Sequence, residues 1–176
     1  MWLRVCLSIV LAVAALSSSA VQIDGTTLAL RYERPNGFSR GVGEAETWVA
    51  DSLDVVIHVY RFRPFHGDFA EEFRRTLFRD WVSAAYREDR RVDQPTFSPL
   101  NVKGATAAIA GSFENFNGGA SREHLRVAVL ASGQVALVDI SANSRHAFER
   151  NRARFSRLLN SLHVATGDTP APRVLR

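Results

Sequence analysis

The chain has 176 residues, 22 Lys+Arg against 18 Asp+Glu, a formal charge of +4 and a single cysteine. The length suits one domain that buries about 65–70 % of its unfolded surface, and one cysteine excludes a disulfide framework. The positive charge is almost all arginine, with Lys103 the only lysine; no basic cluster is interleaved with aromatics, so a nucleic-acid partner is not expected.

The chain opens Met1-Trp2-Leu3-Arg4, continues apolar from Val5 to Leu16, and leaves through Ser17-Ser18-Ser19-Ala20. A basic start, a short apolar run and small residues at the −3 and −1 positions (Ser18 and Ala20) describe a cleaved secretion signal over residues 1–20. The run is about a dozen residues, too short for the roughly 20 that a spanning helix needs. Cys6 sits inside the run and not at its end, so a lipoprotein anchor is not expected and the protein is secreted or periplasmic. Removing the signal removes Cys6, and with it any thiol chemistry.

Residues 21–164 read as one domain. Leu28 to Tyr32 alternates like a strand, Pro35-Asn36-Gly37 turns, Thr47 to Ala50 is a short strand, and Val55 to Phe62 is a strong one, rich in β-branched and aromatic residues. Pro64 ends it. Asp68 then stands as the N-cap of a helix with Glu71 at N3, and Phe69, Phe73, Leu77 and Trp81 recur every four residues until about Tyr86. Strands follow at Thr96–Leu100, Lys103–Phe113, Arg122–Ala131 and Gln134–Ser141, with hairpins at Asn117-Gly118-Gly119 and Ser132-Gly133. Leu125 to Leu130 is apolar on both faces, which predicts a sheet covered on both sides. A last helix, capped by Asn143 or Ser144, carries Phe148, Phe155, Leu158, Leu159 and Leu162 on one arc. The fold class is α+β, an antiparallel sheet flanked by helices. Residues 165–176, with Gly167, Pro170 and Pro172 and no periodicity, read as a disordered tail.

Three stretches carry a resemblance. Leu30-Arg31-Tyr32-Glu33-Arg34-Pro35-Asn36-Gly37-Phe38 is similar to the tyrosine, short gap, Pro-x-Gly-aromatic entry of the PsbP-like superfamily, which includes DcrB-like bacterial exported proteins. Val102-Lys103-Gly104-Ala105-Thr106-Ala107 resembles its Val-x-Gly-x-x-Ala strand start, and Phe155 to Leu162 resembles its closing helix. The resemblance spans roughly residues 22–164. It implies an α/β/α sandwich that binds or stabilises a partner, with no enzymatic role, and it transfers no functional residue.

The residues themselves offer little chemistry. The five histidines are His58, His66, His124, His146 and His163, and none shows a metal-ligand spacing. Glu123 and His124 are adjacent on a strand, so their side chains diverge. No Gly-x-Ser-x-Gly elbow and no phosphate-cradling glycine loop is present. Glu44 and Glu46 lie on a glycine-rich loop with nothing to raise a pKa. No catalytic, metal or cofactor site is therefore expected.

Three features could contact a partner. Arg150, Arg154 and Arg157 follow i, i+4, i+7 spacing along one helix edge, while Arg145, Glu149 and Arg152 share the other. Three unpaired guanidinium groups could hold an acidic surface; the bland account is a solvated helix face, with Arg157 favoured by the helix dipole. Phe65 and His66 sit just before a helix start, where Phe65 could equally pack under the helix. Phe116 stands at a hairpin tip. The expected function is a non-enzymatic binding or assembly module acting on an envelope protein. The alternatives are an exported hydrolase built on His58 or His124 with carboxylates, and a carrier for a small apolar ligand. A carrier needs a cavity of several hundred Å3, and the many phenylalanines argue against spare volume.

Overall fold

The computed structural model describes residues 28–43, 45–85, 94–117 and 120–166. The expected signal at residues 1–20 and residues 167–176 of the expected tail lie outside the described residues. Among the described residues no helix is long and apolar enough to cross a membrane.

In chain order the elements are β1 (Leu28–Arg31), β2 (Phe38–Arg40), β3 (Glu46–Ala50), β4 (Val55–Pro64), α1 (Phe69–Ala85), β5 (Thr96–Pro99), β6 (Ala107–Asn117), β7 (Ala120–Ala131), β8 (Gln134–Ala142), α2 (Arg145–Ser161) and β9 (His163–Thr166). Seven strands form one antiparallel sheet in the order β2-β3-β4-β8-β7-β6-β5, and β1 pairs with β9 in a separate two-stranded ladder. Three elements depart from the sequence reading: the strand expected over Lys103–Phe113 is displaced along the chain, with β6 running from Ala107 to Asn117, and the short strands β2 and β9 differ as well. β2 is only three residues long, held by Phe38, which is buried. β9 carries the chain past the expected domain boundary at 164, so Ala165 and Thr166 are strand and not tail, paired with Ala29 and Leu28.

Local chemistry explains the joints. Ser132 and Gly133 both have positive φ, 46° and 67°, the signature of a type I′ hairpin turn that matches strand twist. At Gly104 (φ 79°) a Cβ would come within 2.8 Å of the Val164 carbonyl oxygen. Only glycine fits there, and its closeness lets the Val164 amide donate to the Lys103 carbonyl at 2.8 Å, tying the approach to β6 onto β9. The α1 start is capped as read: the Asp68 carboxylate accepts from the Glu71 amide at 2.9 Å. At the α2 start Ser144 is the cap, accepting from the Ala147 amide at 3.2 Å.

The sheet is covered on both faces, as the doubly apolar β7 predicts. Val127, Val129, Val138 and Ile140 point to one face and pack with Phe155 and Leu158 of α2. Ala128 points to the other, with Ile109 and Phe113 of β6, under Phe73 and Leu77 of α1. Gly111 leaves the space that Leu77 fills, since a Cβ there would lie 2.5 Å from its Cδ2. Each fully buried aliphatic side chain contributes about 1.5–3 kcal/mol, so both helices are held by packing. The result is the expected α/β/α sandwich.

Candidate functional site

The arginine edge is not a row of free cations. Arg150 is paired with Asp54, from the turn before β4. Arg154 donates to the Asn151 side-chain oxygen at 2.7 Å and lies against Gly37. Arg154 and Arg157 flank a small cleft with Glu33, Arg34, Pro35 and Asn36. The expectation of three unpaired guanidinium groups is corrected: the turns before β2 and β4 reach this helix edge, a contact invisible in helical spacing.

Phe65 is half-buried and meets Phe69 edge-on at 6.1 Å, so it packs at the base of α1, while His66 is exposed. Phe116 lies on β6 with its backbone opposite Ser121; its side chain is outside the described residues, as is Glu44.

On the α1 face, a polar row crosses the sheet through Arg126, Asp139, His58 and Thr47, which are successive register partners on β7, β8, β4 and β3. Arg126 donates to Asp80 of α1 at 2.8 Å and lies 3.5 Å from Asp139. His124 stacks flat on Phe113, with centroids 4.8 Å apart and planes 9° apart, and its Nδ1 is 3.7 Å from Asp139 Oδ1. Burial pushes the Asp139 carboxyl up, but the neighbouring His124 imidazole and Arg126 guanidinium outweigh it and hold the carboxyl below its usual value. His58 Nδ1 is 3.0 Å from Thr47 Oγ1. Arg126 also lies over the Phe113 ring, so Phe113 carries both the imidazole and the guanidinium. The histidine–carboxylate contact lies within the sheet, between β7 and β8, and it is the Arg126–Asp80 pair that secures α1. Among the described residues no three His, Cys, Asp or Glu side chains converge as a metal would require.

The other face is open. Between α2 and strands β5 to β7 runs a trough of about 410 Å3. That lies within the usual range of ligand pockets, roughly 300–1,000 Å3. The helix supplies Arg145, Phe148, Glu149, Arg152, Phe155, Ser156 and Leu159, one continuous stripe at three- and four-residue spacing. The sheet supplies Ser112, Glu114, Glu123 and Leu125, alternate residues of β6 and β7, with Thr96 and Gln94 at the rim. Phe148 and Phe155, 5.1 Å apart, and Leu125 and Leu159 give it an apolar floor. The expectation that phenylalanines fill all the volume is corrected here, because Phe148 and Leu159 are only half-buried and border the trough.

Charge in the trough is uneven. Arg152 pairs with Glu149 at 3.3 Å on the outer rim. Glu114 and Glu123 stand directly opposite each other in the β6–β7 ladder, an arrangement that repels. Burial raises the Glu123 pKa and the charge of Glu114 raises it further, while Arg145 works the other way. Sequence reasoning had placed Arg145, Glu149 and Arg152 on one helix edge but could not see that this edge faces the carboxylates. The adjacency of Glu123 and His124 was the available signal: they do diverge, one into each face.

Comparisons with known proteins follow this architecture. No family model matches the chain. A stretch of 73 residues, 42% of the chain, is 34% identical to a DNA ligase of Kocuria rhizophila, but it spans only 9% of that enzyme, far short of two thirds of its length, and brings no activity with it. The solution structure of cyanobacterial PsbP (CyanoP) from Synechocystis sp. PCC 6803 superposes with a TM-score of 0.57 at 14% identity, covering 85% of this chain and 98% of that one. LpqN, involved in cell envelope biogenesis of Mycobacterium tuberculosis, superposes with a TM-score of 0.55 at 11% identity, covering 81% of this chain and 86% of LpqN. At such identities the likeness speaks to architecture alone. The seven-stranded antiparallel sheet between two helices, shared over nearly the full length of both structures, is the PsbP-like fold, and this chain has it.

Proposed function

We propose that this protein is an exported, non-catalytic accessory domain that binds a protein partner in the cell envelope. The observation that carries the reading is the trough beside α2, an apolar floor with a charged rim formed by one helix face and two strands. The opening residues, with their basic start and short apolar run, support export. LpqN, a structure of the same fold, is involved in envelope biogenesis. Arg154, Arg157 and His66, all exposed, are secondary contact positions on other surfaces.

The test is site-specific photo-crosslinking in cells that export the protein. A crosslinker at Ser156, on the trough wall, is expected to trap one envelope protein reproducibly. The same reagent at Arg75, on the solvent side of α1 with 72% of its side chain exposed, should not. Equal labelling from both positions, or turnover of a small substrate by the purified protein, overturns the reading.

A further inference from the structure

We infer that the trough seats a segment of the partner in which a lysine or arginine lies beside bulky apolar side chains, with the cation against Glu123. The inference deepens the accessory reading and rests on it.

Three observations point there. The floor, Leu125, Phe148 and Leu159, is only partly covered by the protein itself and bears on the trough. Glu123 is half-buried at the edge of that floor and makes no hydrogen bond or ion pair among the described residues; Arg145 influences its charge without pairing with it. Glu114 stands opposite Glu123 in the ladder, and the lining as a whole carries Glu114, Glu123 and Glu149 against Arg145 and Arg152. A carboxylate kept partly out of water beside another carboxylate is costly in the free protein, and a guest cation relieves that cost on binding. Lysine and arginine match the site end to end, with a methylene stem for the floor and a charged tip for the carboxylate. A purely apolar guest would leave Glu123 desolvated and unpaired, and an acidic guest would add a further carboxylate beside it.

The experiment uses three nonapeptide panels on the purified protein, read by fluorescence anisotropy. Each panel places Leu and Phe around one central position, occupied by Lys, norleucine or Glu. The Lys panel is expected to bind about tenfold tighter than the norleucine panel, the scale of one hydrogen bond to a charged group, and the Glu panel weakest. In Glu123→Gln, which keeps shape and removes charge, the Lys advantage should vanish, and norleucine peptides should bind at least as tightly as to the unaltered protein because no charge is left desolvated beneath them. Thermal melts of both proteins establish that the variant is folded. No Lys advantage in the unaltered protein, or an advantage that survives Glu123→Gln, overturns the inference. Crosslinking from Ser156 separates this failure from the larger one. If the envelope protein is still trapped while the Lys preference is absent, the cation seat is wrong and the accessory reading stands. If trapping is lost as well, the accessory reading falls with it.

Discussion

On the α1 face of the large sheet, Arg126 sits between Asp80 and Asp139, and His124 leans on the same carboxylate. On the α2 face, Glu123 looks into a trough and faces another carboxylate across the ladder. The two sites are one residue apart along β7, alternately up and down. On the first face Arg126 bridges a helix carboxylate and a strand carboxylate and clamps α1 to the sheet. On the second, Glu123 makes no hydrogen bond or ion pair among the described residues and stands beside half-buried apolar side chains. The contrast teaches where to look for function: a cation committed to holding a helix is structural, and a carboxylate without a partner beside partly covered apolar side chains is placed to receive one.

The largest expected effects test whether both faces are packed as described. Leu77→Ala should cost about 2–5 kcal/mol and Phe155→Ala about 3–5 kcal/mol in denaturant unfolding, because both side chains are fully buried and their loss leaves cavities. A cost under about 1 kcal/mol for either would mean that its helix is not seated on the sheet. Next, Arg126→Met removes the guanidinium from Asp139 and unties Asp80, which keeps Arg79 at 3.6 Å, from the sheet. About 2 kcal/mol is expected, below the range for a fully buried pair because Asp80 still reaches water. No loss would remove the clamp from the comparison.

Ser144→Ala, which deletes the hydroxyl that caps α2, should cost about 1 kcal/mol by the same measurement. The smallest effect is one of slope and separates the faces most sharply. The Asp139 carboxyl is held below its usual value. Its stabilisation is therefore complete above the unfolded carboxyl range, near about 3.9, and is lost as pH falls through the lowered folded value. The Glu123 pKa is raised, so the sign is reversed. Between about 4.3 and its raised folded value, the folded state binds the extra proton and stability grows as pH falls. Asp139→Asn should flatten the acid limb of a stability–pH curve. Glu123→Gln should remove the opposite slope above it and leave the protein at least as stable at neutral pH. Equal slopes from the two variants would erase the distinction between the faces.

Much of the fold was legible in the sequence because periodicity encodes faces. The double apolarity of β7 predicted a covered sheet, and the four-residue spacing from Phe69 to Trp81 predicted α1 with its Asp68 cap. What escaped was decided by pairing at a distance. β9 is four residues with no turn signal of its own, and only its ladder with β1 makes it a strand. The pairing of Arg150 with Asp54 joins positions 96 residues apart, so no local pattern announced it. The trough was half visible: its helix stripe could be drawn on a wheel, but the opposing carboxylates required the β6–β7 register, which sets Glu114 against Glu123.

The small β1–β9 ladder has one more consequence. Leu28 and Thr166 are Cα partners across it, so the first and last strands finish side by side. In a chain trimmed to residues 28–166, a short Gly/Ser bridge could close a ring at that point, and new ends could be opened at Ser132-Gly133, where Gly133 has open space around it. Such a permutant keeps every strand pairing while moving both termini to the tip of the β7–β8 hairpin, which makes the protein a scaffold that can be tethered from either end.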